Sequence, residues 1–226
     1  LNKRIVVFAP HPDDETLGCG GTIAKRLSEG YEVFVVSMTD GRNALSTIFG
    51  ITKAPTPKEM KEIRRNELIK AMEVLGVPKG NIVFFDFEDG KLLYHSRAAA
   101  TKAFKILNEL KPVEIYFPHE RDHNPDHQAA NIILRDCIRN LHFSAHAYKY
   151  SLGQRFSRVG WLIARVFDFV RNNLVYVDVS QFLDQKEEAI KVYRSQTTRI
   201  DKRQNRAVVT NYRRFLKRHE LFHLDS

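Results

Sequence analysis

Two short stretches of the sequence gather side chains able to hold a metal ion: PHPDDE at 10–15 and PHERDHNPDH at 118–127. In the first, Pro10 and Pro12 bar a regular strand or helix and stiffen the turn. His11, Asp13 and Asp14 are thereby presented together, just ahead of a helical pattern. His11 and Asp14 can converge on one ion, and His127, at the start of a second helical pattern, is the natural third ligand. Two imidazoles and a carboxylate with an open fourth position make the ligand set of a catalytic zinc rather than a structural one. Asp13 is adjacent to a ligand yet free, so it could accept the proton of an attacking water. The bland alternative is an acidic loop that caps a helix opposite a buried histidine. Two independent clusters, each following a strand pattern, argue against it. The same triad also describes non-haem iron oxygenases. The free Asp13 favours hydrolysis.

The elements that must position these loops can be read from hydrophobic periodicity. Candidate strands are Arg4–Ala9, Glu32–Met38, Ile82–Phe87, Val113–Phe117, Ala145–Ser151 and Leu174–Val179. Most are continuous apolar runs, as expected of strands buried on both faces. Helical patterns lie near Leu17–Glu29, Pro57–Leu75, Ser96–Leu110 and Asp126–Asn140. In the second, Ile63, Leu68, Ala71, Met72 and Leu75 form one face, and Gly76 stops it. Alternating strands and helices predict right-handed crossovers and one Rossmann-like α/β domain over residues 1–226, with a mostly parallel sheet. Working groups in such sheets collect beyond the strands' carboxyl ends, where both clusters fall.

Composition narrows the function classes. The chain has 226 residues, of which 43% are hydrophobic and 28% charged, enough for one ordinary core and too apolar for a disordered chain. Two cysteines, Cys19 and Cys137, exclude a disulfide scaffold and fit a reducing, cytoplasmic compartment. The longest uncharged apolar run, Val159–Ala164, is far too short to span a bilayer. Leu1 in place of methionine leaves room for a trimmed leader. Of the net charge of +9, eight units come from Arg194–Arg218, which holds nine basic residues and only Asp201 as an acid. A basic helical segment over about 182–226 is expected. It could meet an anionic substrate or a membrane surface, or be merely solvated; no nucleic-acid motif accompanies it. A non-catalytic module for anionic ligands is the corresponding third reading, and a homo-oligomer is compatible with the sequence.

PHPDDETLGCGG followed by NPDH resembles the LmbE / PIG-L family of zinc-dependent deacetylases. TDG at 39–41, IRRNELIKAMEVLGV at 63–77, FEDGKL at 87–92, VDVSQFLDQKEEAIKVYRSQ at 177–196 and ELF at 220–222 fall in the same order as in that family. The resemblance implies one zinc ion and removal of an N-acetyl group, typically from an N-acetylglucosamine moiety. It carries the metal roles onto His11, Asp14 and His127, and the general-base role onto Asp13. It departs at one point: the family often reads HPDH, whose first histidine helps stabilise the transition state, and Asn124 stands there. Asparagine can donate to an oxyanion but cannot act as an acid. His123, one residue earlier, is the spare imidazole.

Weaker candidates remain. Arg64 opens a helix segment that in the family faces the substrate; a surface arginine paired with Glu67 is the alternative. Asp40 and Asp89 could contact sugar hydroxyls or simply form turns. Gly18, Gly20 and Gly21 fit close helix–sheet packing better than a dinucleotide loop, and Cys19 fits a small core residue. Arg155–Asn173 has the pattern of a basic amphipathic helix, which could be a lid, a membrane-surface helix or a packed one.

Overall fold

Why the apolar runs of the sequence are continuous is plain from the sheet they build. The computed structural model describes residues 3–153 and 173–225. Strands β1 (Arg4–Ala9), β2 (Glu32–Thr39), β3 (Ile82–Phe87), β4 (Glu114–Pro118) and β5 (His146–Tyr150) pair in parallel; β6 (Leu174–Asp178) and β7 (His219–Leu224) complete seven strands in the order β3-β2-β1-β4-β5-β7-β6. Only β7 runs antiparallel to its neighbours. The helices are α1 (Asp14–Ser28), α2 (Ala44–Phe49), α3 (Pro57–Leu75), α4 (Ser96–Leu110), α5 (Pro125–Arg139), α6 (Leu183–Val192) and the short α7 (Arg194–Thr197).

Successive side chains of β1 point to opposite faces, and each face has its own core. Ile5 and Val7 pack with Ile23 of α1, Leu68 and Met72 of α3 and Ala189 of α6. Val6 and Phe8 pack with Leu107 of α4 and Ala130 and Leu134 of α5. Helix α3 starts where its sequence says it should. Thr56 accepts from Glu59 N while the Glu59 carboxylate accepts from Thr56 N, Pro57 sits in the first turn, and Gly76 closes the helix at φ 89°.

The glycines of α1 serve close approach: a Cβ at Gly21 would stand 2.6 Å from Val179 Cβ, and one at Gly18 2.6 Å from the Tyr150 ring. Cys19 between them is a buried core residue.

Three expectations need correction. Helix α1 begins at Asp14, not Leu17, because the chain turns sharply at Asp13 and Asp14–Glu15 then supply the acidic first turn of the helix. The basic segment 182–226 is not one helix. It holds α6 and α7, a tied loop and a short 3₁₀ turn at Tyr212–Phe215, and it ends in β7, a strand that hydropathy alone did not mark. Helix α2 was not anticipated either. The amphipathic segment 155–173 lies outside the described residues, save Asn173. Among those residues no helix is long and apolar enough to cross a membrane.

Candidate metal centre

The strand order reverses at β1. The chain runs outward through β2 and β3 on one side, then returns to place β4 and β5 on the other. The loops after β1 and β4 therefore face each other across a crevice at the sheet's carboxyl edge, the usual ligand site of such folds. PHPDDE and PHERDHNPDH are those two loops.

Three of the singled-out side chains meet there. Asp14 Oδ2 lies 3.0 Å from His11 Nδ1 and 3.0 Å from His127 Nε2, and the two ring nitrogens are 3.3 Å apart. All three residues are buried. Four ligands placed tetrahedrally at about 2.1 Å from a zinc-like ion stand about 3.4 Å from one another. The trio is close to that spacing, and its nitrogen and oxygen donors suit a small divalent cation.

The charge balance of the trio also points to a cation. Burial alone would lower the pKa of His127, but Asp14 and Asp122 outweigh it and raise it to about 9. His11 is likewise raised despite its burial, by Asp126, Asp14 and Asp89. Burial would raise Asp14, yet the two imidazoles hold it far below the ordinary carboxylate range. Protons here neutralise carboxylates that a metal ion could neutralise instead.

Carboxylates behind the trio fix the rings. His11 Nε2 lies 3.2 Å from Asp126 Oδ2 and 3.2 Å from Asp89 Oδ1. Asp126 is itself held by the backbone N–H groups of Gly90 and Leu92, at 2.7 and 3.0 Å. Asp122 Oδ2 lies 3.2 Å from His127 Nδ1. A second trio, His11 with Asp89 and Asp126, could also approach a cation. Its geometry is equally that of outer carboxylates orienting a metal-binding histidine through the other ring nitrogen. Asp122 and Asp126 were not picked out from the sequence, although a carboxylate flanking each histidine of the loop is a usable signal.

Asp13 is apart from the trio. Its backbone has φ 128°, a region that L-residues rarely adopt. Its N–H donates to Glu15, whose other oxygen accepts from Thr16 and from the Tyr193 hydroxyl. Asp13 Oδ1 accepts from Arg64 Nη2 at 2.9 Å, and the same guanidinium donates to Pro12 O. Burial, together with Asp14 and Glu15, pushes the Asp13 carboxyl up to about 8, with Arg64 opposing. Arg64 is thus no surface residue: it is buried, and Glu67 is taken up instead by Ser195.

The remaining candidates spread along the cleft. His123 is exposed on the cleft wall, against the bare backbone of Gly153. Asn124 uses its Oδ1 to cap α5, accepting from Asp126 N at 2.8 Å. Asp89 reaches His11, whereas Asp40 is turned away into ion pairs with Arg42 and Lys61. The cleft encloses about 740 Å³ and runs from the trio to Ile48 and to Arg214 and Phe215 at its mouth.

Residues 6–138 match the family described as PIG-L, GlcNAc-PI de-N-acetylase. The chain belongs to that family. Among curated relatives, the diacetylchitobiose deacetylase of Thermococcus kodakarensis is 27% identical over 86% of this chain and 70% of its own length. A 1D-myo-inositol 2-acetamido-2-deoxy-alpha-D-glucopyranoside deacetylase of Tsukamurella paurometabola is 35% identical, over 37% of this chain and 29% of its own. The chain thus spans most of the first relative and under a third of the second. The structure of N,N'-diacetylchitobiose deacetylase from Pyrococcus horikoshii superposes with a TM-score of 0.74 and 21% identity, covering 99% of this chain and 84% of that one. At that identity the likeness is one of fold.

Proposed function

We propose that this PIG-L family chain is a divalent-metal-dependent hydrolase, with zinc as the first choice, that removes the N-acetyl group of an N-acetylglucosamine-type sugar or conjugate. The observation that carries this reading is the pairing of a convergent trio (His11, Asp14, His127) with a separate carboxylate, Asp13, in one cleft. Both relatives named above are described as deacetylases, one of them of an acetamido-glucopyranoside.

When bound by the trio, the cation would polarise the amide carbonyl and make the attacking water more acidic. Asp13 is the group left to move protons. Arg64 holds its Oδ1, so its other oxygen takes a proton as the water oxygen bonds to the carbonyl carbon. The same proton then goes to the amine nitrogen as the C–N bond breaks, giving acetate and a free amine. Burial pushes the Asp13 carboxyl up to about 8 without a metal, and a cation beside it would bring it down, toward the range in which one group can both take and give a proton. We assign donation to the developing oxyanion to His123, the further imidazole lining the same cleft. Asn124 can offer only its amide N–H, because its oxygen is used as a helix cap. Asp126, Asp89 and Asp122 keep the histidine rings in place.

The test is release of acetate from a panel of N-acetylglucosamine conjugates by protein loaded in turn with zinc, iron and cobalt. Stoichiometric acetate and amine are expected. Oxygen uptake without acetate would move the chain to the oxygenase class. Substrate binding without turnover in any metal form would leave a binding module.

A further inference from the structure

We infer that Arg214, stacked on Phe215 at the cleft mouth, is a specificity residue that selects substrates carrying a carboxylate or phosphate on the far side of the sugar from the acetamide. The inference rests on the deacetylase reading above and concerns the part of the substrate which that reading leaves open.

Its basis is an imbalance of charge along the cleft. The deep end is rich in carboxylates: Asp13, Asp14, Asp89, Asp122 and Asp126 all line it. Five carboxylates exceed the charge of one divalent cation and Arg64 together, so a further anionic group of the substrate is favoured at the mouth. The cations around this face are largely spoken for. Arg42 pairs with Asp40, Lys61 and Arg65 with Asp86, and Lys91 with Glu88. Arg214 differs: among the described residues its guanidinium has no carboxylate partner, and its one recorded contact is the Phe215 ring, 4.7 Å from the guanidinium carbon.

Stacking holds a guanidinium plane by its face and leaves its edge N–H groups free. Those donors form a fork that matches two oxygens of a carboxylate or phosphate. The turn beneath it is tied at several points. Arg214 N donates to Asn211 O, the Tyr212 hydroxyl bonds Glu187 of α6 at 3.2 Å, and Val209 N donates to Gln196 O at 2.8 Å. The fork is therefore presented from a braced loop, which lowers the ordering cost of binding. Arg214 lies beyond the residues 6–138 that match the family.

The experiment compares three probes: methyl N-acetylglucosaminide, its 6-phosphate and its 6-O-carboxymethyl ether, whose anions lie across the ring from the acetamide. For wild-type protein, kcat/KM for one or both anionic probes should exceed that for the neutral one. In Arg214→Ala the ratio of anionic to neutral should fall on the order of tenfold to a hundredfold, the range of a charge-assisted contact. Arg214→Lys should restore only part, because an ammonium lacks the fork. Arg213→Ala removes the same charge outside the cleft and should leave the ratio in place. The phosphate and carboxylate arms decide which anion is preferred. A wild-type ratio near one, or an equal fall in Arg213→Ala and Arg214→Ala, would overturn the inference while leaving the deacetylase reading intact. If no probe releases acetate, the deacetylase reading fails. Calorimetric binding of the same probes, wild type against Arg214→Ala, then decides the Arg214 question alone.

Discussion

Asp13 concentrates the chemistry of the site into one residue. It neighbours a member of the trio, yet its strained backbone turns its carboxylate toward Arg64 instead of toward His11 and His127. Asp13→Asn should therefore retain its metal, about one ion per chain by elemental analysis. Turnover should fall by about 10²–10⁴, the usual worth of general-base assistance. The acid limb of the pH–rate profile, which would report this carboxyl, should vanish with it. Metal loss in this variant would make Asp13 a ligand, and full turnover would remove the proposed base altogether. His123 is tested in a similar way. His123→Ala should lower turnover more than metal content, and Gly153→Ala should do likewise, because its new Cβ would stand 2.6 Å from His123 Cε1. If turnover is unchanged in His123→Ala, the oxyanion donor is Asn124 or the backbone.

At the scale of elements, legibility followed the locality of the signal. Strands β1 and β3 and helices α3 and α4 end where the sequence places them, since each carries an apolar run or face, and α3 adds its capping box and Gly76. The trio was also legible, because two strand ends with metal-competent loops meet at a sheet's switch point by topology alone. What stayed hidden depends on distant partners. In β7 the inward residues are Glu220 and Phe222, so a charge sits where alternation would want an apolar side chain. Glu220 is buried because it accepts from Gly21 N and Thr22 N of α1 and pairs with Lys186 at 2.6 Å, whose Nζ also donates to Leu17 O. No local pattern announces such a brace. Arg64 was ambiguous for the same reason: its partners, Pro12, Asp13 and Gly41, lie more than 20 residues away. The brace yields a stability prediction. Lys186→Met leaves a buried carboxylate without its cation, which typically costs roughly 3–5 kcal/mol. Thermal denaturation should show a Tm lower by about 10 °C. A shift within 2 °C would mean that Glu220's two backbone donors suffice without the lysine.

For the whole molecule, the buried site couples stability to pH in a direction that a bound cation should reverse. His127 has its pKa raised to about 9 from an ordinary 6.5, so its contribution is complete below pH 6.5 and is lost as pH rises through 9. His11 acts in the same sense, and so does Asp13 over a wider window: its carboxyl is raised from 3.8 to about 8, so its contribution is lost from near pH 4 upward. The depressed groups act lower on the scale. His119, lowered to about 4 by burial, withdraws its contribution as pH falls from 6.5 toward 4. Between pH 4 and 6.5 the loss at Asp13 and the gain at His119 oppose each other, whereas above pH 6.5 Asp13, His11 and His127 act together, so metal-free protein should lose stability steadily from pH 6.5 to pH 9. The net charge of +9 shrinks over the same range and eases self-repulsion, but that effect is spread over a surface screened within about 8 Å. A divalent cation competes with the protons on His11 and His127, so its affinity should climb with pH. At a hundredfold excess over its Kd it contributes about 2.7 kcal/mol. Melting curves in chelator and in excess zinc should therefore diverge as pH rises, the first falling and the second holding or climbing. Parallel curves across pH 6.5–9 would show that the trio takes up no ion in exchange for its protons, and the metal assignment would fall with them.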